Sequence, residues 1–110
     1  MIKNILLIGF GKMGSAIVKG WTKQNLDFKI YVIEKDINKF KSIKNSNIFF
    51  LKNFDDFETL KLVTDFVLIA VKPQQIANIK NNLKKIYNNK SIFISIVAGI
   101  SSIWFRNNIS

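Results

Sequence analysis

Three glycines near the start of the chain restrict its fold more than any other feature of the sequence. They follow the pattern Gly-x-Gly-x-x-Gly within Gly9–Gly14 and come directly after the apolar run Ile5–Ile8. A short, continuous apolar run that ends in glycine is typical of a strand buried on both faces of a parallel sheet. Because helical spacing of apolar residues follows, this segment predicts a strand, a tight turn and a helix in succession.

Each glycine has a separate physical task in a turn of this kind. The first permits the tight turn, the second lets the backbone approach a pyrophosphate, and the third lets the helix pack closely on the strand. The N–H groups and the dipole at the start of the helix favour bound anions. We therefore predict a site for the pyrophosphate of NADH or NADPH that involves Gly9, Gly11, Lys12, Met13 and Gly14.

A carboxylate at the end of the second predicted strand is the next candidate. Glu34 lies about 20 residues beyond Gly14 and directly follows the run Ile30–Ile33. From this position a carboxylate accepts hydrogen bonds from the adenosine ribose and repels a 2′-phosphate, which favours NADH. Lys35 can instead pair with a 2′-phosphate, and a solvated acid at a strand end is the alternative interpretation of Glu34.

Strand and helix signals alternate along the rest of the chain. Apolar runs predict strands over residues 30–33, 48–51, 66–71 and 92–97. Helical spacing follows each strand, including a short amphipathic segment over 37–43, a helix over 55–62 and a last helix after Ser101 or Ser102. This order predicts one α/β domain over residues 1–110, a Rossmann-type doubly wound parallel sheet of about five strands with helices on both faces.

The spacing also predicts which side of each helix faces the sheet. In the first helix, Lys19 and Lys23 lie on the side away from the predicted apolar face. The residues expected to face the sheet are Met13, Ala16, Ile17 and Trp21 in the first helix, Phe57, Leu60 and Leu62 in the segment 55–62, and Ile76, Ile79, Leu83 and Ile86 in the helix after Pro73.

Two more loops are expected at the carboxyl edge of the sheet, where open α/β sheets bind their ligands. The first, Ala70–Pro73, contains Ala70, Val71, Lys72 and Pro73. Lys72 either contacts an anionic ligand or is solvated, and Pro73 suits a first helical turn. The second contains Ala98 and Gly99. These are small enough for a nicotinamide ring to lie against the backbone, although a plain turn explains them equally well.

Composition excludes several kinds of chemistry. The chain has no cysteine and no histidine, so it has no thiolate nucleophile, no Cys/His zinc site and no imidazole base. Its net charge of +10 favours anionic partners, but its basic residues form no cluster interleaved with aromatic residues, and we expect no nucleic-acid surface. The first apolar run is too short for a membrane span or signal peptide, so we expect a cytoplasmic protein. We also expect no bound metal.

Three motifs in order resemble the N-terminal domain of the pyrroline-5-carboxylate reductases. They are Ile8–Ile17, Ala70–Gln74 and Ser95–Ile100, and the resemblance covers nearly the whole chain. It implies hydride transfer from NADPH or NADH to a small anionic imine, 1-pyrroline-5-carboxylate, to give L-proline in proline biosynthesis. Such chemistry needs few reactive side chains, because the nicotinamide supplies the hydride.

The chain departs from that family in two respects. Glu34 and Lys35 stand where many members place a hydroxyl or arginine residue for the 2′-phosphate, which leaves the choice between NADH and NADPH open. The helical C-terminal domain, which in this family forms the dimer and much of the substrate pocket, is expected to lie outside these 110 residues. We therefore expect an inactive isolated chain, a homo-oligomer only for the full-length enzyme, and an exposed apolar surface near Trp104 and Phe105.

Two alternatives to this function remain open. One is another reductase with the same N-terminal module, such as an F420-dependent NADP oxidoreductase or a β-hydroxyacid dehydrogenase. The Lys72-Pro73 pair argues against the second of these, whose members usually have other residues there. The other alternative is a nucleotide-binding module without turnover.

Overall fold

A computed structural model of the chain describes residues 3–23, 27–39, 43, 47–88, 90–97 and 102–109. Five strands form one parallel sheet, in the spatial order β3-β2-β1-β4-β5. This order reverses direction between β1 and β4, which confirms the predicted Rossmann-type topology and creates a switch point there. The strands are β1 (Lys3–Ile8), β2 (Phe28–Ile33), β3 (Ile48–Leu51), β4 (Phe66–Ile69) and β5 (Ile92–Ser95).

Four helices cover the two faces of the sheet. They are α1 (Lys12–Thr22), α2 (Phe54–Thr59), α3 (Ile76–Ile86) and α4 (Ser102–Asn108), with 3₁₀ turns at Ile37–Lys39 and Pro73–Gln75. The segment 37–43 is described only at this first turn and at Ile43, and Ser101 lies outside the described residues. In the described part of the chain, no helix is long and apolar enough to span a bilayer.

The core consists of two layers, one on each face of the sheet. On one face, residues such as Leu6 and Val67 pack against α2, α3 and α4. On the other face, Leu7 and Val32 pack against Val18 of α1. Successive side chains of β1 and β4 point to opposite faces of the sheet and are buried on both, as the continuous apolar runs of these strands predicted.

Two strands end earlier than their apolar runs predicted. β4 stops at Ile69 and not at residue 71, and β5 stops at Ser95 and not at residue 97. Ile69 is paired with Ile8 on one side and Ser95 on the other. β1, the central strand of the sheet, ends at Ile8, and the chain turns at Gly9. Beyond this point β4 has no β1 residue to pair with, and β4 and β5 end at the same level as β1.

The predicted inner face of α1 was correct at Ile17 and Trp21, which pack against the core, and wrong at Met13 and Ala16. Met13 is 62% exposed and Ala16 is also exposed, whereas Gly14 and Val18 are buried and Ile17 is half-buried. The phase of the helix is set by Gly14, where a Cβ atom would lie only 2.6 Å from the Gly9 carbonyl oxygen. Since this contact requires a residue without a side chain, a count of apolar side chains does not detect it.

α2 also differs from its prediction. It begins at Phe54, and the Asn53 side chain caps it by accepting a hydrogen bond from the Asp56 N–H at 2.8 Å. It ends at Thr59, followed by Leu60, which is 44% exposed, and by Lys61, whose φ of 51° lies in the left-handed region. The side chains that α2 buries are therefore Phe54 and Phe57, and Leu60 does not face the sheet.

Among the described residues, the expected exposed apolar surface near Trp104 and Phe105 is present only at the neighbouring Ile103, which is 65% exposed. The side chains of Trp104 and Phe105 are half-buried against the core, and the Phe105 ring lies 5.3 Å from the Phe93 ring, centroid to centroid. Further exposed apolar residues lie on the opposite face of β5, where Ile92 is 56% and Ile94 is 43% exposed. α4 thus covers its own side of the edge strand, whereas α1 lies over β1 and β2.

Candidate functional site

A cavity of about 420 Å³ opens at the carboxyl edge of the sheet, around the switch point between β1 and β4. Its walls come from the turn after β1, the residues after β2, the start of α2, the loop after β4 and one face of α3. A cavity of this volume is in the range of sites for small molecules and cofactors. Of the predicted site residues, Gly9, Gly11, Glu34, Lys35, Ala70, Val71 and Lys72 line it.

The glycine turn forms one end of the cavity. Gly9 has φ +95°, and a Cβ there would lie 2.9 Å from the Ala70 carbonyl oxygen, so the turn and the loop after β4 pack directly on each other. Gly11 is different, because a Cβ there would have no atom within 4 Å. It caps α1 without a side-chain hydrogen bond, so the backbone donors of the first turn face open space beside Gly11.

Glu34 faces this turn and is not freely solvated. Its Oε1 atom accepts a hydrogen bond from the Phe10 N–H at 3.0 Å, and its Oε2 atom accepts one from the Asp36 N–H, also at 3.0 Å. Lys39 Nζ lies 3.5 Å from Oε1, and the Glu34 side chain is only 12% exposed. The carboxylate is therefore fixed beside the glycine turn, and the solvated-acid interpretation was wrong.

Four lysines line the cavity and give it a positive rim. Lys35 and Lys72 were singled out from the sequence, whereas Lys39 and Lys52 were missed. Lys35 and Lys39 both follow β2, whereas Lys52 follows β3 and Lys72 follows β4. Sequence spacing therefore gives no signal that the three segments bring these lysines together. A cluster of amines around an open cavity attracts phosphate groups.

The remaining predicted site residues do not line the cavity. Lys12 and Met13 are exposed on α1, and Gly14 is buried against Gly9 as a packing contact. Pro73 begins the turn that leads into α3, as predicted. Ala98 and Gly99 lie outside the described residues, so their proposed place beside the nicotinamide stays a prediction.

Several cavity residues were not expected from the sequence. Asn53 both caps α2 and lines the wall, which also contains Gln75, directly before α3, and Asn78 and Asn82 of α3. These three amides are spaced three and four residues apart, which is the one sequence signal that places them on a single helix face. Among the described residues, no three potential metal ligands of the His, Cys, Asp and Glu types come together.

Comparisons with known proteins agree with this fold. Residues 4–99 match the model of the family described as NADP oxidoreductase coenzyme F420-dependent. Pyrroline-5-carboxylate reductase from Haemophilus influenzae is 32% identical over 100 residues, and the one from Methanosarcina acetivorans is 28% identical over 99 residues. These matches cover 91% and 89% of the chain but 36% of each relative, so the chain spans about a third of their length.

Two solved structures share the fold. Prephenate dehydrogenase from A. aeolicus, in complex with hydroxyphenyl propionate and NAD+, superposes on the whole chain with a TM-score of 0.80 at 18% identity. The match covers 39% of that chain. RSP, a Rex-family repressor, superposes on 97% of the chain with a TM-score of 0.60 at 13% identity, over 59% of its own chain.

Proposed function

The chain belongs to the family described as NADP oxidoreductase coenzyme F420-dependent, and from that membership we propose that it is the cofactor-binding part of a pyrroline-5-carboxylate reductase. The observation that carries the cofactor site is the cavity that joins the open space at Gly11 to the fixed carboxylate of Glu34. The substrate is proposed from the two curated relatives, at 28% and 32% identity. The proposed reaction converts the imine of 1-pyrroline-5-carboxylate to the amine of L-proline.

The chain's own residues divide the binding of the dinucleotide among them. The backbone N–H groups that follow Gly11 hold the pyrophosphate, and the lysines of the rim neutralise part of its charge. A carboxylate offers about four lone-pair sites, and Glu34 accepts hydrogen bonds from only two backbone N–H groups. It can therefore also accept hydrogen bonds from the ribose hydroxyls. When bound, the reduced nicotinamide supplies a hydride to the imine carbon, while the imine nitrogen takes a proton.

Two further residues complete the proposal for this domain. Ala98 and Gly99, after β5, provide a small-residue surface for the nicotinamide ring. The other walls of the substrate pocket come from a helical domain of the kind that the family resemblance implies. Positioning of the imine carbon against the nicotinamide accounts for many orders of magnitude in rate, so the chain alone is expected to bind cofactor without turnover.

An assay of two proteins tests this proposal. The chain alone and the chain fused to the C-terminal domain of a full-length relative are supplied with the imine, and NADH oxidation is followed by absorbance. We expect imine-dependent oxidation by the fusion only. A fusion that binds NADH but leaves the imine unreduced contradicts the substrate, and rapid oxidation by the short chain alone contradicts the two-part organisation.

A further inference from the structure

One wall of the cavity carries no charge. This wall consists of Gln75, directly before α3, and of Asn78, Ile79 and Asn82 within α3. The four positions share one helix face. The lysines of α3 lie outside the cavity lining. This amide wall, defined as these four residues, therefore contrasts with the lysine rim that surrounds the glycine turn.

The carboxamides of the amide wall have unused hydrogen-bonding capacity. In the part of the chain that the structure describes, the side chains of Asn78 and Asn82 make no hydrogen bond, and Asn82 is half-buried. Other asparagines are used structurally: Asn53 caps α2, and Asn108 donates to the Trp104 carbonyl at 2.8 Å. A free carboxamide presents a donor and an acceptor side by side.

The cavity beside this wall suits a flat heterocycle. Ile8, Ile33 and Ile79 supply apolar surface, and the carboxamides lie at its border. A planar base needs apolar contacts on its faces and hydrogen bonds at its edge. Adenine offers an amino donor next to a ring-nitrogen acceptor, a pair that one asparagine carboxamide matches with two hydrogen bonds.

We propose that the amide wall is a specificity site for the adenine base of the dinucleotide, read mainly by Asn82. This inference rests on the proposed function and adds to it, since the glycine turn, Glu34 and the lysines recognise groups common to all such dinucleotides. Asn78, which is more exposed, has the lesser part. The site favours adenine over a base that carries a carbonyl oxygen in place of the amino group.

Competition between two cofactors tests the proposal directly. NADH is compared with reduced nicotinamide hypoxanthine dinucleotide, in which a carbonyl oxygen replaces the adenine amino group, by fluorescence titration of the unmodified chain. The asparagine carboxamide pairs with adenine at its N6/N7 edge, where hypoxanthine presents two neighbouring acceptors, O6 and N7. These cannot both pair with one carboxamide, so we expect binding of the analogue to be about tenfold weaker. In Asn82→Ala and Asn82→Leu the two hydrogen bonds to adenine are lost, so the affinities for NADH and for the analogue are expected to differ by no more than about twofold.

Asn81 provides a matched control on the same helix. It is exposed, does not line the cavity, and Asn81→Leu is expected to retain the full preference. Equal binding of the two dinucleotides by the unmodified chain overturns the base-reading role while leaving dinucleotide binding intact. Equal weakening of both by Asn82→Ala also overturns it, because the side chain then only packs. Binding of neither dinucleotide contradicts this inference and the proposed function together.

Discussion

Gly14 and Gly20 lie in the same helix, but only one of them is fixed by a close contact. A Cβ at Gly14 would lie 2.6 Å from the Gly9 carbonyl oxygen, whereas a Cβ at Gly20 would meet no atom within 4 Å. We expect Gly14→Ala to lower the free energy of unfolding by about 1–3 kcal/mol through overpacking. Gly20→Ala is expected to raise it by about 0.5–1 kcal/mol through helix propensity.

Urea unfolding followed by circular dichroism measures both changes. The pair is matched because each variant adds one methyl group to α1. A Gly14→Ala variant as stable as Gly20→Ala contradicts the close contact between α1 and the glycine turn.

Glu34 determines the choice of cofactor in this account. Its carboxylate lines the cavity, and in the proposed complex it would face the adenosine ribose and repel a 2′-phosphate. The unmodified chain is therefore expected to bind NADH at least as well as NADPH. Glu34→Ser removes the repulsion and releases Lys39, and the preference narrows or reverses. Calorimetric titration with both cofactors measures the ratio.

The control for this prediction is Glu58→Ser, at an exposed acid of α2 that does not line the cavity. It changes the net charge equally and is expected to leave the ratio unchanged. A clear NADPH preference in the unmodified chain indicates that the lysine rim outweighs Glu34 at the 2′ position.

The candidate site was predictable from sequence where it depends on local pattern. The glycine turn and Glu34 belong to one βαβ unit with characteristic spacing, and both line the cavity. Lys39, Lys52 and the amides of α3 were missed because they come together only when separate loops and helices meet at the sheet edge. The anchoring of Glu34 by the Phe10 N–H is a backbone contact and has no signature in residue types.

At the scale of elements, α3 packs on the sheet through Ile76 and Leu83, of which Leu83 is the more deeply buried. Leu83 is fully buried between the helix and the sheet, whereas Leu60, just after α2, is 44% exposed. We expect Leu83→Ala to destabilise the domain by about 2–5 kcal/mol, because it removes a buried side chain and leaves a cavity. Leu60→Ala is expected to change stability by about 0.5 kcal/mol or less.

Thermal and urea unfolding of the two leucine variants test this difference. Since both substitutions remove the same atoms, any difference between them reports burial. Equal effects on the free energy of unfolding contradict the packing of α3 on the sheet.

The sequence predicted the order of the strands and helices. It did not always predict where they end or which side of a helix is buried. β4 and β5 end where β1 ends, which is a property of the assembled ladder and not of their own apolar runs. α1 buries Gly14 and Val18 in place of Met13 and Ala16, because Gly14 packs directly against Gly9. α2 ends at Thr59, two residues before a left-handed Lys61, and lysine is a residue type that does not signal this conformation.

At the scale of the whole molecule, the net charge of +10 acts on any phosphate-bearing ligand. Because four lysines line the cavity, the affinity for NADH is expected to fall about three- to tenfold between 0.05 and 0.5 M NaCl as charges are screened. Adenosine, which has no phosphate, is the control and is expected to show little change. An affinity for NADH that does not depend on salt contradicts the role of the lysine rim.

The proposed function requires that the cavity at the switch point binds the dinucleotide. The most direct measurement is calorimetric titration of NADH into the unmodified chain and into Gly11→Val. Valine has space at this position and the backbone φ of −78° suits it, so the variant is expected to keep its thermal stability. Its side chain occupies the space of the pyrophosphate, and the predicted result is affinity reduced at least about tenfold. Unchanged affinity in the folded variant contradicts the central claim.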